Sequence, residues 1–259
     1  MALIIQGGVT PFILLLVLIV AVYYFMQRAK GKEMHIRRIA GLDALDECVG
    51  RATEMGKPVH FIPGIAGIEA ATAPQTLAGL CILGHVASLT AKSGAKLGVS
   101  IRQPMIMPLV NDTIREAYMA AGVGDQFPGE EIQFLGWTQF AFTGAVLGRL
   151  RRDLPGANLM FGGLYAETLM IAETGAEVGA MQVMGTAAVY QIPFLLAACD
   201  YALSADEIYA ADAYLSKNPV SLGSIRGVDV GKLFGLIAVI IGSILATLNI
   251  DWLYVLLST

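Results

Sequence analysis

Eight carboxylates lie between residues 153 and 216: Asp153, Glu167, Glu173, Glu177, Asp200, Asp206, Glu207 and Asp212. No Lys or Arg falls in that stretch. An ionised carboxylate is too costly to bury alone, so these groups must be solvated, protonated, matched by arginines distant in sequence, or bound to a cation. Asp200 directly ends the apolar run PFLLAAC, which reads as a strand. A carboxylate at a strand end suits a magnesium ion or a ribose hydroxyl; equally, it can turn the chain into Tyr201. Glycines supply a second kind of chemistry. Apolar runs lead into Gly64-Ile65-Ala66-Gly67, Gly136-Trp137-Thr138, Gly162-Gly163 and Gly185-Thr186. Glycine between a strand and a helix lets backbone N–H groups converge on an anion. It also serves tight turns that bind nothing. The ligand-binding set read from these patterns is Gly64, Gly67, Gly136, Gly162, Gly163, Gly185, Thr186, Asp200 and Glu167.

Recognisable catalytic patterns are missing. Neither G-x-G-x-x-G nor G-x-x-x-x-G-K-[ST] occurs, and no G-x-S-x-G or H-E-x-x-H is present. Of the three histidines, His35 lies in a basic segment and reads as solvated, while His60 and His85 sit in apolar stretches and read as satisfied core residues. Cys48, Cys81 and Cys199 form no C-x-x-C pair and read as small buried thiols. No catalytic residue, metal site or cofactor follows from the sequence.

The elements that position these residues alternate. Helix patterns cover 43–55, 72–93, 111–121, 138–152, 165–173 and 204–215. Strand patterns cover 59–63, 96–101, 132–135, 158–161, 181–184 and 194–199. This alternation implies an α/β domain with a mostly parallel, Rossmann-like sheet covered by helices on both faces.

Composition adds a membrane address. The chain has 259 residues, 56% hydrophobic and only 15% charged, against about 25% charge in soluble domains. Its mean hydropathy is +0.64. No charged residue precedes Arg28, and Asp251 alone follows Lys232. The 18 apolar residues Val9–Met26 and the run Leu233–Asn249 read as membrane spans flanking the α/β domain. The expected organisation is therefore a transmembrane helix in 1–27, a cytoplasmic domain in 28–231, and a transmembrane helix with an interfacial tail in 232–259. Residues 28–38 hold five basic residues against Glu33, which places the middle of the chain in the cytoplasm and both termini outside. The same collar suits anionic headgroups. Residues 39–231 carry a net charge of −8, which argues against nucleic acid as a partner.

Three segments, GRATEMGKPVHFIPG (50–64), IAETGAEVGA (171–180) and ACDYALSADEIYAADAYLSKNP (198–219), resemble an uncharacterised family of prokaryotic membrane-anchored proteins, a domain of unknown function. The resemblance covers most of residues 38–230. It implies a prokaryotic cell membrane and transfers no catalytic residue. The function expected is that of a non-enzymatic assembly protein whose cytoplasmic domain forms a homo-oligomer. Small apolar stretches at 77–89 and 141–148 offer surface beyond one core, and Gly231, Gly235 and Gly242 could seat neighbouring helices. The alternative is a sensor or enzyme that binds a small anion or nucleotide at the glycine-rich strand ends. Membrane lipid is the remaining expected partner. A channel is disfavoured by the scarcity of intramembrane ionisable residues.

Overall fold

The computed structural model describes residues 9–29, 37–69, 72–204, 206–216 and 219–248. It divides into two compact units, one spanning Arg37–Leu215 and the other built from the chain segments on either side.

The first unit alternates helix and strand throughout. Its elements are α2 (Ala40–Glu54), β1 (Val59–Ile62), α3 (Ala73–Ser93), β2 (Leu97–Ile101), α4 (Met107–Ala120), β3 (Ile132–Phe134), α5 (Gln139–Asp153), β4 (Ala157–Phe161), α6 (Glu167–Glu177), β5 (Met181–Thr186), α7 (Ile192–Ala198), β6 (Tyr201–Ser204) and α8 (Glu207–Ser216). The punctuation is chemical. Gly94 ends α3 in the left-handed conformation (φ 71°) that a side chain resists. The Thr138 hydroxyl accepts from Ala141 N at 3.3 Å and opens α5.

All six strands are parallel, in the order β3-β2-β1-β4-β5-β6. That order is the doubly wound Rossmann arrangement, which reverses direction between β1 and β4. Alternate residues feed two cores. Val59, Phe61, Val99, Leu159 and Val183 pack with Leu45 of α2, Leu83 of α3 and Ile114 of α4. Ile62, Met160 and Met184 pack with Phe142 and Val146 of α5, Ile171 of α6 and Leu195 of α7. The small apolar stretches at 77–89 and 141–148 are spent largely on these cores: Leu83, Val86, Phe142 and Val146 are fully buried.

One expected strand is a helix. Residues 194–199 belong to α7, and the sixth strand is the next segment, Tyr201–Ser204. The run Phe194–Cys199 contains no β-branched residue, and Pro193 occupies the first helical turn, where its missing N–H costs nothing.

In the second unit, α1 (Val9–Ala29) and α9 (Pro219–Thr247) pack against one another. A Cβ at Gly227 would meet Val22 Cα at 2.6 Å, and one at Gly231 would meet Leu18 Cδ2 at 2.5 Å. The pairing runs backwards along α1 as α9 advances, so the helices are antiparallel, with two glycines four apart admitting close contact. Gly231 thus seats a helix of its own chain, whereas a Cβ at Gly235 would meet open space. Val220–Leu245 is long and apolar enough to cross a membrane; Leu15–Arg28 is apolar but shorter. The apolar helix begins well before residue 232, and the expected interfacial tail at 250–259 lies outside the described residues.

Candidate functional site

At the carboxyl edge of the sheet, the loops after β1 and β4 meet at the switch point, where doubly wound folds hold their ligands. Here the glycines admit backbone to backbone. Gly64 has φ +70°, and a Cβ on it would lie 2.7 Å from Gly163 N. A Cβ on Gly162 would lie 2.9 Å from Pro63 O, and one on Gly163 would lie 2.5 Å from the Ala66 side chain. Ile65 N donates to Gly163 O at 2.9 Å. These three glycines are buried in loop packing, whereas Gly67 has no close neighbour. Gly136 follows β3 beside the start of α5. Gly185 and Thr186 lie inside β5 rather than beyond it; Gly185 makes room for Leu203 and the Phe161 ring, and Thr186 Oγ1 reaches Gln75 Oε1 at 3.4 Å.

Glu167 opens α6 on the same edge and is 1% exposed. It accepts from Gln139 Nε2 at 2.6 Å and from Tyr165 N at 2.9 Å. These donors satisfy both oxygens, a structural use of a buried carboxylate. Nearby, Arg102 donates to Ile65 O at 2.7 Å while its Nε has no partner, and the buried Thr168 Oγ1 has none.

Asp200 lies on the opposite edge. Because residues 194–199 form a helix, Asp200 precedes β6 instead of ending a strand, and it accepts from Gln182 N at 2.7 Å. The structure therefore separates it from the glycine loops. Three of the other carboxylates pair with arginines. Asp153 pairs with Arg149 and Arg152, Glu177 with Arg151, and Glu207 with Arg37. Among the described residues, no group of three or more metal-ligating side chains gathers.

The most developed polar constellation runs across the sheet on the face covered by α5 and α6. His60 Nδ1 is 2.9 Å from Asn158 Oδ1, and His60 Nε2 is 2.8 Å from Ser100 Oγ. Asn158 Nδ2 donates to Gln182 Oε1 at 3.0 Å, and Gln182 Nε2 donates to Ala172 O at 2.7 Å. Arg149, itself buried, donates to Val99 O and Ser100 Oγ and pairs with Glu131 and Asp153. Gly98 is where the guanidinium crosses β2; a Cβ there would lie 2.7 Å from its Nη2. Burial, with the Arg149 charge adding to it, pushes His60 down to about 4, so the ring is neutral at pH 7. Sequence reasoning assigned His60 to a satisfied core position correctly, yet missed the ladder. The signal was present: His60, Gly98, Asn158 and Gln182 each stand second in a largely apolar strand, and pairing sets them side by side.

A cavity of about 590 Å³ opens beneath this ladder at the amino edge, lined by Lys57, His60, Lys96, Glu131, Arg149 and Asp153 among others. Helices α2, α3 and α5 end there, and the negative end of a helix dipole favours cations nearby. That accounts for the lysines without a ligand.

The remaining candidates are inert or partly corrected. Burial raises the thiols of Cys48 and Cys199 to about 12, which removes thiolate chemistry. Cys81 is exposed rather than buried. His85 is only part-buried, with its Nε2 unpartnered and 4.0 Å from Asp46. His35 lies outside the described residues.

Fold and site together define a doubly wound α/β domain with structural polar groups, carried on a chain with an apolar helical pair. The chain belongs to the family described as Domain of unknown function (DUF6754), whose model matches residues 3–257. No curated protein and no solved structure matches it significantly.

Proposed function

We propose that this chain is a membrane-anchored, non-enzymatic assembly protein whose α/β unit self-associates into a homo-oligomer. The observation that carries this reading is α7. No charged residue occurs from Val189 to Cys199, yet among the α7 residues only Leu195 is buried, while Phe194 and Leu196 stand exposed. A helix apolar all round belongs in an interior, and this one lies on a domain whose two cores are already complete. The adjoining α6 adds exposed Leu169 and Met170. A second copy is the occupant that fits. The α7 segment offers no charge for a partner to complement, and copies held in one membrane meet side by side at high effective concentration. The apolar α9 and the basic segment at 28–38 support a reading in which the unit lies on the cytoplasmic side of a prokaryotic cell membrane with both termini outside.

The test is the mass of the detergent-solubilised full chain at micromolar concentration, by mass photometry. Assembly predicts particles larger than one chain, reduced to single chains by the double substitution Phe194→Glu and Leu196→Glu. A wild-type protein that runs as a monomer overturns the proposal.

A further inference from the structure

The large exposed apolar side chains of the α/β unit are unevenly distributed between the two edges of its sheet. The carboxyl edge carries Met105 after β2, Trp137 and Phe140 after β3, Val189 and Tyr190 after β5, and Tyr209 in the first turn of α8. Trp137 is 66% exposed and Phe140 74%. At the amino edge the equivalents are Met55 and Leu154, each next in sequence to a residue lining the cavity, and Met119, beside Asp112, Arg115 and Glu116. Loops that follow parallel strands have no packing reason to be so rich in exposed aromatic residues.

Both ends of the unit also converge on that edge. Helix α2 runs against the strands, with Gly41 beside Leu203 near the end of β6 and Ala52 beside Gly156 ahead of β4. Its first turn therefore lies at the carboxyl edge. There Asp43 takes the Tyr214 hydroxyl and Arg38, and Arg37 pairs with Glu207 at 2.6 Å. Residues 37–38 and 214–215 are thus held at one corner. Leu215 precedes the apolar helix Val220–Leu245 by five residues, and Arg37 lies within the basic segment that begins at Arg28.

We infer that the carboxyl edge of the sheet rests on the lipid surface, with Trp137, Phe140, Met105 and Tyr190 in the headgroup layer. The composition is that of membrane–water interfaces, where amphipathic rings are enriched, and the net positive segment at 28–38 suits anionic lipid. Glu69 and Asp206 stand on the same edge, which limits the contact to the headgroups and excludes deep insertion. The inference rests on the membrane anchoring proposed above and adds which surface of the domain meets the bilayer.

Trp137 reports on it directly, because the only other tryptophan is Trp252. The full chain carrying Trp252→Phe is reconstituted into phosphatidylcholine vesicles containing a minority of phosphatidylglycerol, with and without bromine near the top of the acyl chains. Trp252→Tyr serves as a second background should the first fail to insert. The expected result is blue-shifted Trp137 emission, most of it lost in brominated vesicles, with the loss reversed by Phe140→Asp. Protein that floats with the vesicles while Trp137 emits as in water overturns the lipid contact and leaves the anchor standing. Blue-shifted emission insensitive to bromine overturns it in favour of a protein cover. Protein that does not float in either background overturns anchor and contact together.

Discussion

His60 is a histidine whose proton would have to enter a closed hydrogen-bonded ladder. Its folded value near 4 lies below the ordinary 6.5, so the folded state binds fewer protons than the unfolded chain. The stabilisation is complete above pH 6.5 and is lost as pH falls towards 4, at most about 3 kcal/mol over that window. Burial lowers His85 as well, in the same direction. Denaturation of the detergent-solubilised chain from pH 7 to pH 4 should show this slope, and His60→Gln should flatten most of it. An unchanged slope would remove His60 from the account. Arg149 explains why the ladder is closed, since its guanidinium caps Ser100 while two carboxylates neutralise it. Such a buried ion pair stabilises only while all partners remain.

At the scale of the elements, the question is what the glycine-rich strand ends are for. If Gly64 serves loop packing, Gly64→Ala must strain a left-handed residue and push against the Gly163 backbone, at a cost of about 1–3 kcal/mol. Gly67→Ala, with no atom closer than 3.9 Å, should change stability by less than about 0.5 kcal/mol. Thermal unfolding of the two variants checks this, and equal effects would contradict the packing role. Most elements were legible in the sequence, because hydrophobic period and capping are local. Strand 59–62 and helix 73–93 lie within a residue of expectation. The expected strand at 194–199 failed because a short apolar run does not distinguish a buried strand from a helix. That single error carried Asp200 to the wrong edge of the sheet.

For the whole molecule, Arg37–Leu215 contains two complete cores, so it should fold when expressed without the flanking helices. Its exposed edge and α7 should nonetheless make it aggregate unless detergent is added. Circular dichroism with light scattering, with and without detergent, tests both parts; a soluble monomer in plain buffer would count against the exposed apolar surfaces having partners. Large apolar side chains are exposed at Trp137, Phe140, Phe194 and Leu196, whereas the stretches at 77–89 and 141–148 add Leu77 to them. A run of small apolar residues says that burial is needed, and only packing says whether the chain provides it.

By itself, the amino-acid sequence determined the alternating α/β character, the apolar chain ends, the scarcity of catalytic motifs and the lack of local basic partners for the carboxylates of 153–216. These follow from composition and from periodicities read over a few turns. Strand order, the sheet-crossing ladder, the separation of Asp200 from Gly64 and Gly163, and the concentration of exposed aromatics on one edge were decided only by tertiary structure. The physical reason is that each depends on which strands become neighbours and in what register, and parallel pairing joins residues tens of positions apart through contacts that no local pattern encodes.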